Sequence, residues 1–187
     1  MEDDSLHKRG NALETQFFNE VDRKLMEKLR AEIAQKSAAD RLKATTGFKD
    51  DAVIAELLSL GINEESISAL ALFPLVWVAW ADGTVEPAEK AAVLAAAAEA
   101  GVAPGSMAAQ LLDEWLRRSP GEEIVQAWVD YIHALQSAAG TATFQRVKQT
   151  VLQRAYDVAD AAGGILGLGR VSAKERGVLQ RLEQAFE

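Results

Sequence analysis

Residues 81–89 read ADGTVEPAE, and they join an apolar helix to the next helix through an acidic turn. Gly83 is a typical helix-ending residue, and Pro87 is favoured in the first turn of a helix. A shorter counterpart, Val171-Ser172-Ala173-Lys174-Glu175, follows the next long amphipathic helices. The pattern predicts a helix–turn–helix unit that occurs twice, with chemically distinctive residues concentrated in its turn.

The two stretches align without a gap from the turn onward. The alignment pairs Val85 with Val171, Glu89 with Glu175, Val93 with Leu179, and Ala96 with Leu182. Upstream, residues 78–79 and residues 158–159 are both Val-Ala, and Gly83 corresponds to Gly163. We interpret the match as an internal repeat, with chance similarity between two helical stretches as the alternative.

Helical periodicity extends over nearly the whole chain of 187 residues. No stretch alternates apolar and polar residues over the length of a strand. We therefore predict an all-α bundle of about seven helices with a long N-terminal amphipathic helix. Hydrophobic residues make up 49% of the chain, which is enough for a sizeable core.

Several helix boundaries follow from capping residues and prolines. We expect a helix over residues 50–60 that ends at Gly61, and a helix over residues 64–81 capped by Asn63. Further helices should begin at Pro87 and at Pro104, and Thr141 should cap another. Two sequences have the pattern of a capping box: residues 119–122 (Ser-Pro-Gly-Glu) and residues 172–175 (Ser-Ala-Lys-Glu).

An N-terminal arm is predicted to precede the main domain. Over residues 11–37, one apolar stripe carries Phe18, Val21, Leu25, Leu29 and Ile33. Residues 45–47 (Thr-Thr-Gly) interrupt the pattern. We accordingly divide the chain into an amphipathic helical arm, residues 1–47, and a helical domain, residues 48–187. The arm can fold back, dimerise, or bind a partner as a helix in a groove.

The charge of the chain is unevenly distributed. The net charge is −8, and residues 51–140 carry 13 acidic and 3 basic side chains, a net charge of −10. Such a segment repels phosphate backbones and attracts cations or basic partners, so we expect no nucleic-acid binding. We expect a protein partner or self-association instead.

The longest apolar run, residues 69–81, is shorter than the roughly 20 residues of a bilayer span. We therefore predict a protein that is not transmembrane. The N-terminus has no apolar segment typical of a secretory signal, and the chain has no cysteine. These features favour a cytoplasmic location.

Residues 65–187 resemble the TerB-like family, which is named after a tellurite-resistance protein. The resemblance is carried by residues 77–83 (WVAWADG), followed by Val85 and Glu89, and by the terminal helix that begins with Val171 and Glu175. It implies a small all-helical bundle that acts in a stress response or beside other domains. It also implies acidic inter-helix turns that are candidates for divalent-metal binding.

The best candidate site is formed by Asp82, Glu86 and Glu89, because hard divalent cations such as Ca²⁺, Mg²⁺ or Mn²⁺ prefer several oxygen ligands. From the second turn, the resemblance adds Glu175 and Asp160. Ala162-Gly163 stands where the family often repeats Asp-Gly, so this half of the site is less complete. The alternative is that these acids only start helices, where carboxylates favour the helix dipole.

The sequence offers little for catalysis. The chain has two histidines and no cysteine, and no serine or threonine stands beside a base. We therefore predict a non-catalytic interaction module or scaffold. The alternative is a metal-free adaptor or a homodimer assembled through the N-terminal helix, and a metal-dependent hydrolase is less favoured. The glycine-rich loop at residues 163–169 should pack its apolar side chains onto the bundle.

Overall fold

The computed structural model describes residues 26–28, 30–163 and 171–187. The chain divides into two compact units, Met1–Asp40 and Arg41–Glu187. In the first unit, residues 26–28 and 30–40 are helical. Residues 11–25 of the arm lie outside the described residues, as does the glycine-rich loop from residue 164 onward.

The second unit consists of helices joined by short turns. Residues 41–46 are helical. They are followed by α1 (Asp51–Ser59), α2 (Ile67–Ala79), α3 (Pro87–Glu99), α4 (Met107–Arg117), α5 (Glu122–Ala138), α6 (Thr141–Gly163) and α7 (Ala173–Ala185). No strand occurs in residues 41–163 or 171–187. The predicted all-α class is confirmed for this part of the chain.

Helix α2 is the centre of the second unit. It is apolar on all sides, and nine of its 13 residues are buried. A helix of this kind must be covered by other elements, and α2 contacts α3, α4, α5, α6 and α7. The acidic turn directly follows this buried helix, so the packing of α2 fixes where the acidic residues begin.

Aromatic side chains connect the helices of the core. Trp77 lies edge to face with Trp128, their ring centroids 6.5 Å apart, and Trp128 lies edge to face with Phe186 at 5.8 Å. Trp80 donates its indole N–H to the carbonyl oxygen of Trp115 at 2.8 Å. Trp115 and Trp128 are buried, whereas Trp77 and Trp80 are half-buried.

Two helix starts are as the sequence predicts. Pro87 is the first residue of α3. Ser172 caps α7: its hydroxyl accepts the backbone N–H of Glu175 at 3.1 Å, and the Glu175 carboxylate accepts the N–H of Ser172 in return. The predicted capping box at residues 172–175 is confirmed.

Other predicted helix starts are wrong by one to three residues. Helix α2 begins at Ile67 because Asn63 and Ser66 close a separate turn: Oδ1 of Asn63 accepts the N–H of Glu65, and the Ser66 hydroxyl accepts the N–H of Asn63. Helix α4 begins at Met107 rather than at Pro104, since the hydroxyl of Ser106 provides its cap.

The predicted capping box at residues 119–122 is also wrong. The N-cap of α5 is Gly121, no side chain caps this helix, and the hydroxyl of Ser119 contacts only the neighbouring Pro120 carbonyl. Thr141 is the first residue of α6 rather than its cap, and the carbonyl of Gly140 accepts the first N–H groups. In both places a glycine that offers no side chain stands at the boundary.

Candidate acidic site at two helix starts

The first turn presents Asp82 at the surface. Gly83 has φ of 102°, a left-handed conformation that ends the segment following α2 and that other residues rarely adopt. The carboxylate of Asp82 accepts the N–H of Thr84 at 3.0 Å and contacts the Thr84 hydroxyl at 3.3 Å. Asp82 is exposed, so one of its oxygens stabilises the turn while the group stays accessible.

The same turn buries Glu89 at the beginning of α3. Its Oε2 accepts the backbone N–H of Glu86 at 2.7 Å, so Glu86 and Glu89 form a capping box. Only 3% of Glu89 is exposed, and Glu175, which closes the capping box of α7, is 7% exposed. Two glutamates that the repeat aligns therefore have the same local role and nearly the same burial.

The aligned apolar positions also match in three dimensions. Val93 and Leu179 are buried, as are Ala96 and Leu182, and residues 78–79 and 158–159 are buried as well. Val85 and Val171 are both half-buried. The internal repeat thus places corresponding residues in corresponding environments.

The two turns lie next to each other. The ammonium group of Lys174, in the first turn of α7, donates to the backbone carbonyl of Asp82 at 3.3 Å. The pKa of Glu89 is raised to about 7, chiefly by burial and also by the charges of Asp82, Glu175 and Glu86, while the hydrogen bond from the Glu86 N–H lowers it. The carboxylates of both turns therefore act on one another.

Four of the five predicted site residues belong to this cluster. We call Asp82, Glu86, Glu89 and Glu175 the acidic rim. None of the four forms an ion pair with another described residue. The fifth residue, Asp160, is exposed on α6, and it is not among the charges that raise the pKa of Glu89.

The acidic rim does not have the geometry of a closed metal site. Within residues 26–28, 30–163 and 171–187, no group of three or more His, Cys, Asp or Glu side chains is arranged to hold a metal ion. Glu89 and Glu175 each use one carboxylate oxygen to cap a helix. Each therefore offers its second oxygen, and a cation needs further ligands from Asp82, Glu86 or water.

Sequence reasoning did not identify a groove between α2 and α6. It has a volume of about 400 Å³. It is lined by Leu72, Pro74 and Leu75 of α2 and by Val147, Val151 and Arg154 of α6, among others. Val147 and Val151 belong to an apolar stripe on α6 that the sequence shows at helical spacing. The spacing does not tell which residues of the stripe are left uncovered by neighbouring helices.

A second acidic pair joins α1 to α5. Burial, together with the nearby charge of Asp130, raises the pKa of Glu56. Asp130 also lines an adjacent surface cavity of about 460 Å³ with His133, which is exposed. Neither the pairing of Glu56 with Asp130 nor the cavity has a local sequence signal.

No family model, curated protein or solved structure matches this chain. The resemblance to the TerB-like family therefore stays a prediction. Among the helices that the structure describes, none has both the length and the apolar character needed to cross a bilayer.

Proposed function

We propose that this protein is a non-catalytic helical interaction module. In this proposal the acidic rim binds a basic group of a protein partner, and a divalent cation bound at the same carboxylates modulates the interaction. The observation that supports it is that no described residue forms an ion pair with the rim carboxylates, whose charges, after burial, contribute to raising the pKa of Glu89. A positive charge placed there relieves the repulsion among four carboxylates.

The surrounding surface favours the same kind of partner. Residues 51–140, which contribute three of the four rim carboxylates, carry a net charge of −10. A field of that sign accelerates encounters with cations and with basic protein surfaces. The ammonium group of Lys174 donates to the backbone carbonyl of Asp82 rather than to a carboxylate. The negative charge of the rim carboxylates is therefore available to a partner.

The cation part of the proposal requires a small rearrangement. Hard divalent cations take about six oxygen ligands. The second oxygens of Glu89 and Glu175, the exposed carboxylate of Asp82, and water supply them if Asp82 and Glu86 turn toward the buried pair. The resemblance to the TerB-like family favours this reading and suggests a cytoplasmic stress-response role.

Calorimetry tests the cation part directly. Chelator-treated protein is titrated with Ca²⁺, Mg²⁺ or Mn²⁺, and we expect heat that is lost in the double variant Asp82→Asn/Glu89→Gln. Glu65→Gln, an exposed glutamate outside the rim, is the matched control and should bind like the parent protein. Absence of heat with all three cations would remove the cation from the proposal.

The partner part has a separate test. A lysine-rich peptide and an equally long glutamate-rich peptide are titrated into the full chain at low salt, and we expect binding of the basic peptide only. Binding should weaken severalfold in the double variant Asp82→Asn/Glu86→Gln and on raising the salt concentration. Equal binding by the control Glu65→Gln and the double variant would place the contact elsewhere.

A second candidate function is a metal-free adaptor or homodimer assembled through the N-terminal helix. It is favoured by the exposure of apolar side chains in the first unit, where Ile33 is 68% exposed and Met26 is 51% exposed. Exposed apolar side chains mark a surface that a partner covers when they form a contiguous patch. A metal-dependent hydrolase is the least favoured function, because the rim offers carboxylates alone to position a substrate.

A further inference from the structure

A cavity of about 410 Å³ lies where the end of α2 meets the start of α5 and one side of α7. Its aromatic and apolar walls are formed by Trp77, Trp80, Ala81, Val125 and Val178, among others. Asp82 directly follows Ala81 in the chain, and Glu175 is about one helical turn from Val178 on α7. The cavity is therefore adjacent to the acidic rim.

The indole of Trp80 forms a wall of this cavity that no other aromatic ring covers. Its N–H donates to the carbonyl oxygen of Trp115 at 2.8 Å, so its polar atom is satisfied and the ring is held in place. Trp77 stacks on Phe73 at 5.9 Å, whereas Trp80 has no aromatic partner among the described residues. The face of an indole attracts cations, and a planar guanidinium stacks on it.

A guanidinium of the chain itself shows which chemistry this region accepts. The guanidinium of Arg181 lies over the Trp77 ring at 4.5 Å. It also lies 3.6 Å from the carboxylate of Glu122, which lines the cavity. Trp80 is about one helical turn from Trp77 and has no such cation among the described residues. One indole thus has a guanidinium on its ring, and the indole beside it has none.

Carboxylates at the mouth of the cavity favour a cation as the ligand. Glu122 is exposed, and the carboxylate oxygens of Glu123 occupy the space that a Cβ on the cavity residue Gly121 would take. Neither Glu123 nor the neighbouring Asp82 forms an ion pair with a described residue. An anionic or uncharged ligand would leave these carboxylates unpaired, whereas a cation neutralises them.

We propose that this cavity binds an arginine side chain of the basic partner, with the guanidinium on the Trp80 ring and paired with Glu122 and Glu123. The inference rests on the proposed function, because the arginine belongs to the partner that the acidic rim attracts. It deepens that function by naming the residue that the partner must present. A guanidinium suits the site better than an ammonium group, since it stacks on an indole while its several N–H groups donate to carboxylates.

Two basic peptides test the preference in the full chain. An arginine-rich peptide and a lysine-rich peptide of equal length and charge are titrated at low salt, and we expect the arginine-rich peptide to bind about two- to fivefold more tightly. NMR locates the contact. The indole N–H signal of Trp80, assigned by its loss in Trp80→Phe, should shift on addition of the arginine-rich peptide. The signal of Trp128, which is fully buried outside the cavity, should move least.

Charge variants provide the second measurement. Glu122→Gln should weaken binding of the arginine-rich peptide about two- to fivefold. Glu114→Gln, an exposed glutamate of α4 outside the cavity, removes the same charge and should have less effect. Arg181 competes with the ligand for Glu122, so Arg181→Gln should tighten binding. Its matched control is Arg176→Gln, an exposed arginine of α7 outside the cavity, which should tighten binding less.

The outcomes separate this inference from the function on which it rests. Failure of both peptides to bind overturns the inference and the basic-partner function together. Equal binding of the two peptides, weakened by Asp82→Asn/Glu86→Gln but with the Trp80 signal unmoved, overturns the arginine cavity and leaves the basic partner in place. Equal effects of Glu122→Gln and Glu114→Gln overturn the pairing at the mouth of the cavity.

Discussion

Glu89 and Glu175 belong to different helices, yet the charge of Glu175 contributes to holding the pKa of Glu89 at about 7. Each carboxylate accepts the N–H of its own N-cap residue, Glu86 for one and Ser172 for the other. Each is also almost fully buried. The arrangement stabilises two helix starts while it concentrates negative charge between them.

Glu89 should make stability depend on pH. The pKa of Glu89 is about 7 in the folded protein, above the ordinary 4.5, so the folded state binds this proton more tightly than the unfolded state. The contribution is therefore greatest below pH 4.5 and is lost as the pH rises through 7, by up to about 3 kcal/mol, since each unit of pKa shift is worth about 1.4 kcal/mol.

The variant Glu89→Gln isolates this effect. Glutamine keeps the capping box because its carbonyl oxygen accepts the Glu86 N–H. In urea denaturation, we expect the variant to have the same free energy of unfolding as the parent protein at pH 4 and a higher one at pH 8. An identical difference at both pH values would mean that Glu89 has an ordinary pKa.

Glu175→Gln should lower the pKa of Glu89, since it removes one of the charges that raise it. Titration of the Glu89 carboxyl carbon by NMR measures this directly. The exposed substitution Glu65→Gln, which is not among those charges, should leave the Glu89 midpoint where it is. A midpoint that also stays unchanged in Glu175→Gln would show that the two turns do not communicate.

Ser172 and Ser119 should differ in how much they contribute to the free energy of unfolding. Ser172→Ala removes a hydroxyl that accepts the N–H of Glu175, and we expect a loss of about 1 kcal/mol in the free energy of unfolding. Ser119→Ala removes a hydroxyl that caps nothing, so its effect should be within about 0.5 kcal/mol of zero. Equal losses for the two variants would contradict the assignment of caps.

A glycine in the last helix offers a stabilising substitution. Gly177 lies inside α7, and a Cβ built there meets nothing within 4 Å. Alanine at this position should stabilise the protein by about 0.5–1 kcal/mol in thermal or urea unfolding, because glycine loses more backbone entropy in a helix. The same change at Gly83, where φ is 102°, should destabilise it by about 1 kcal/mol.

Trp80 should contribute more than its apolar area. Its indole N–H is bonded to the carbonyl of Trp115, so Trp80→Phe leaves that carbonyl without this donor at a cost of about 1 kcal/mol. Trp77→Phe, also at a half-buried position, replaces the indole over which Arg181 lies at 4.5 Å with a smaller aromatic ring and removes no hydrogen bond to a described residue. We expect the Trp80 variant to unfold at the lower urea concentration, and the reverse order would contradict the role of the hydrogen bond.

Helix content and the repeat depend on local information, and the sequence shows both. The 3.6-residue periodicity predicts the helices, and the spacing from Ser172 to Glu175 predicts a capping box that forms. Local patterns failed where several caps compete. Helix α4 begins after the cap Ser106 rather than at Pro104, and the N-cap of α5 is Gly121 rather than Ser119.

The sequence by itself determined an all-helical chain, the acidic turn at Asp82 and Glu89, and its counterpart at Glu175. The tertiary structure decided which of these acids act together: it joined Glu175 to the first turn and left Asp160 outside. It also decided which part of the α6 stripe remains uncovered as a groove. The physical reason is that capping and periodicity act within a few residues, whereas burial and electrostatic repulsion depend on distances that only the packing of whole helices sets.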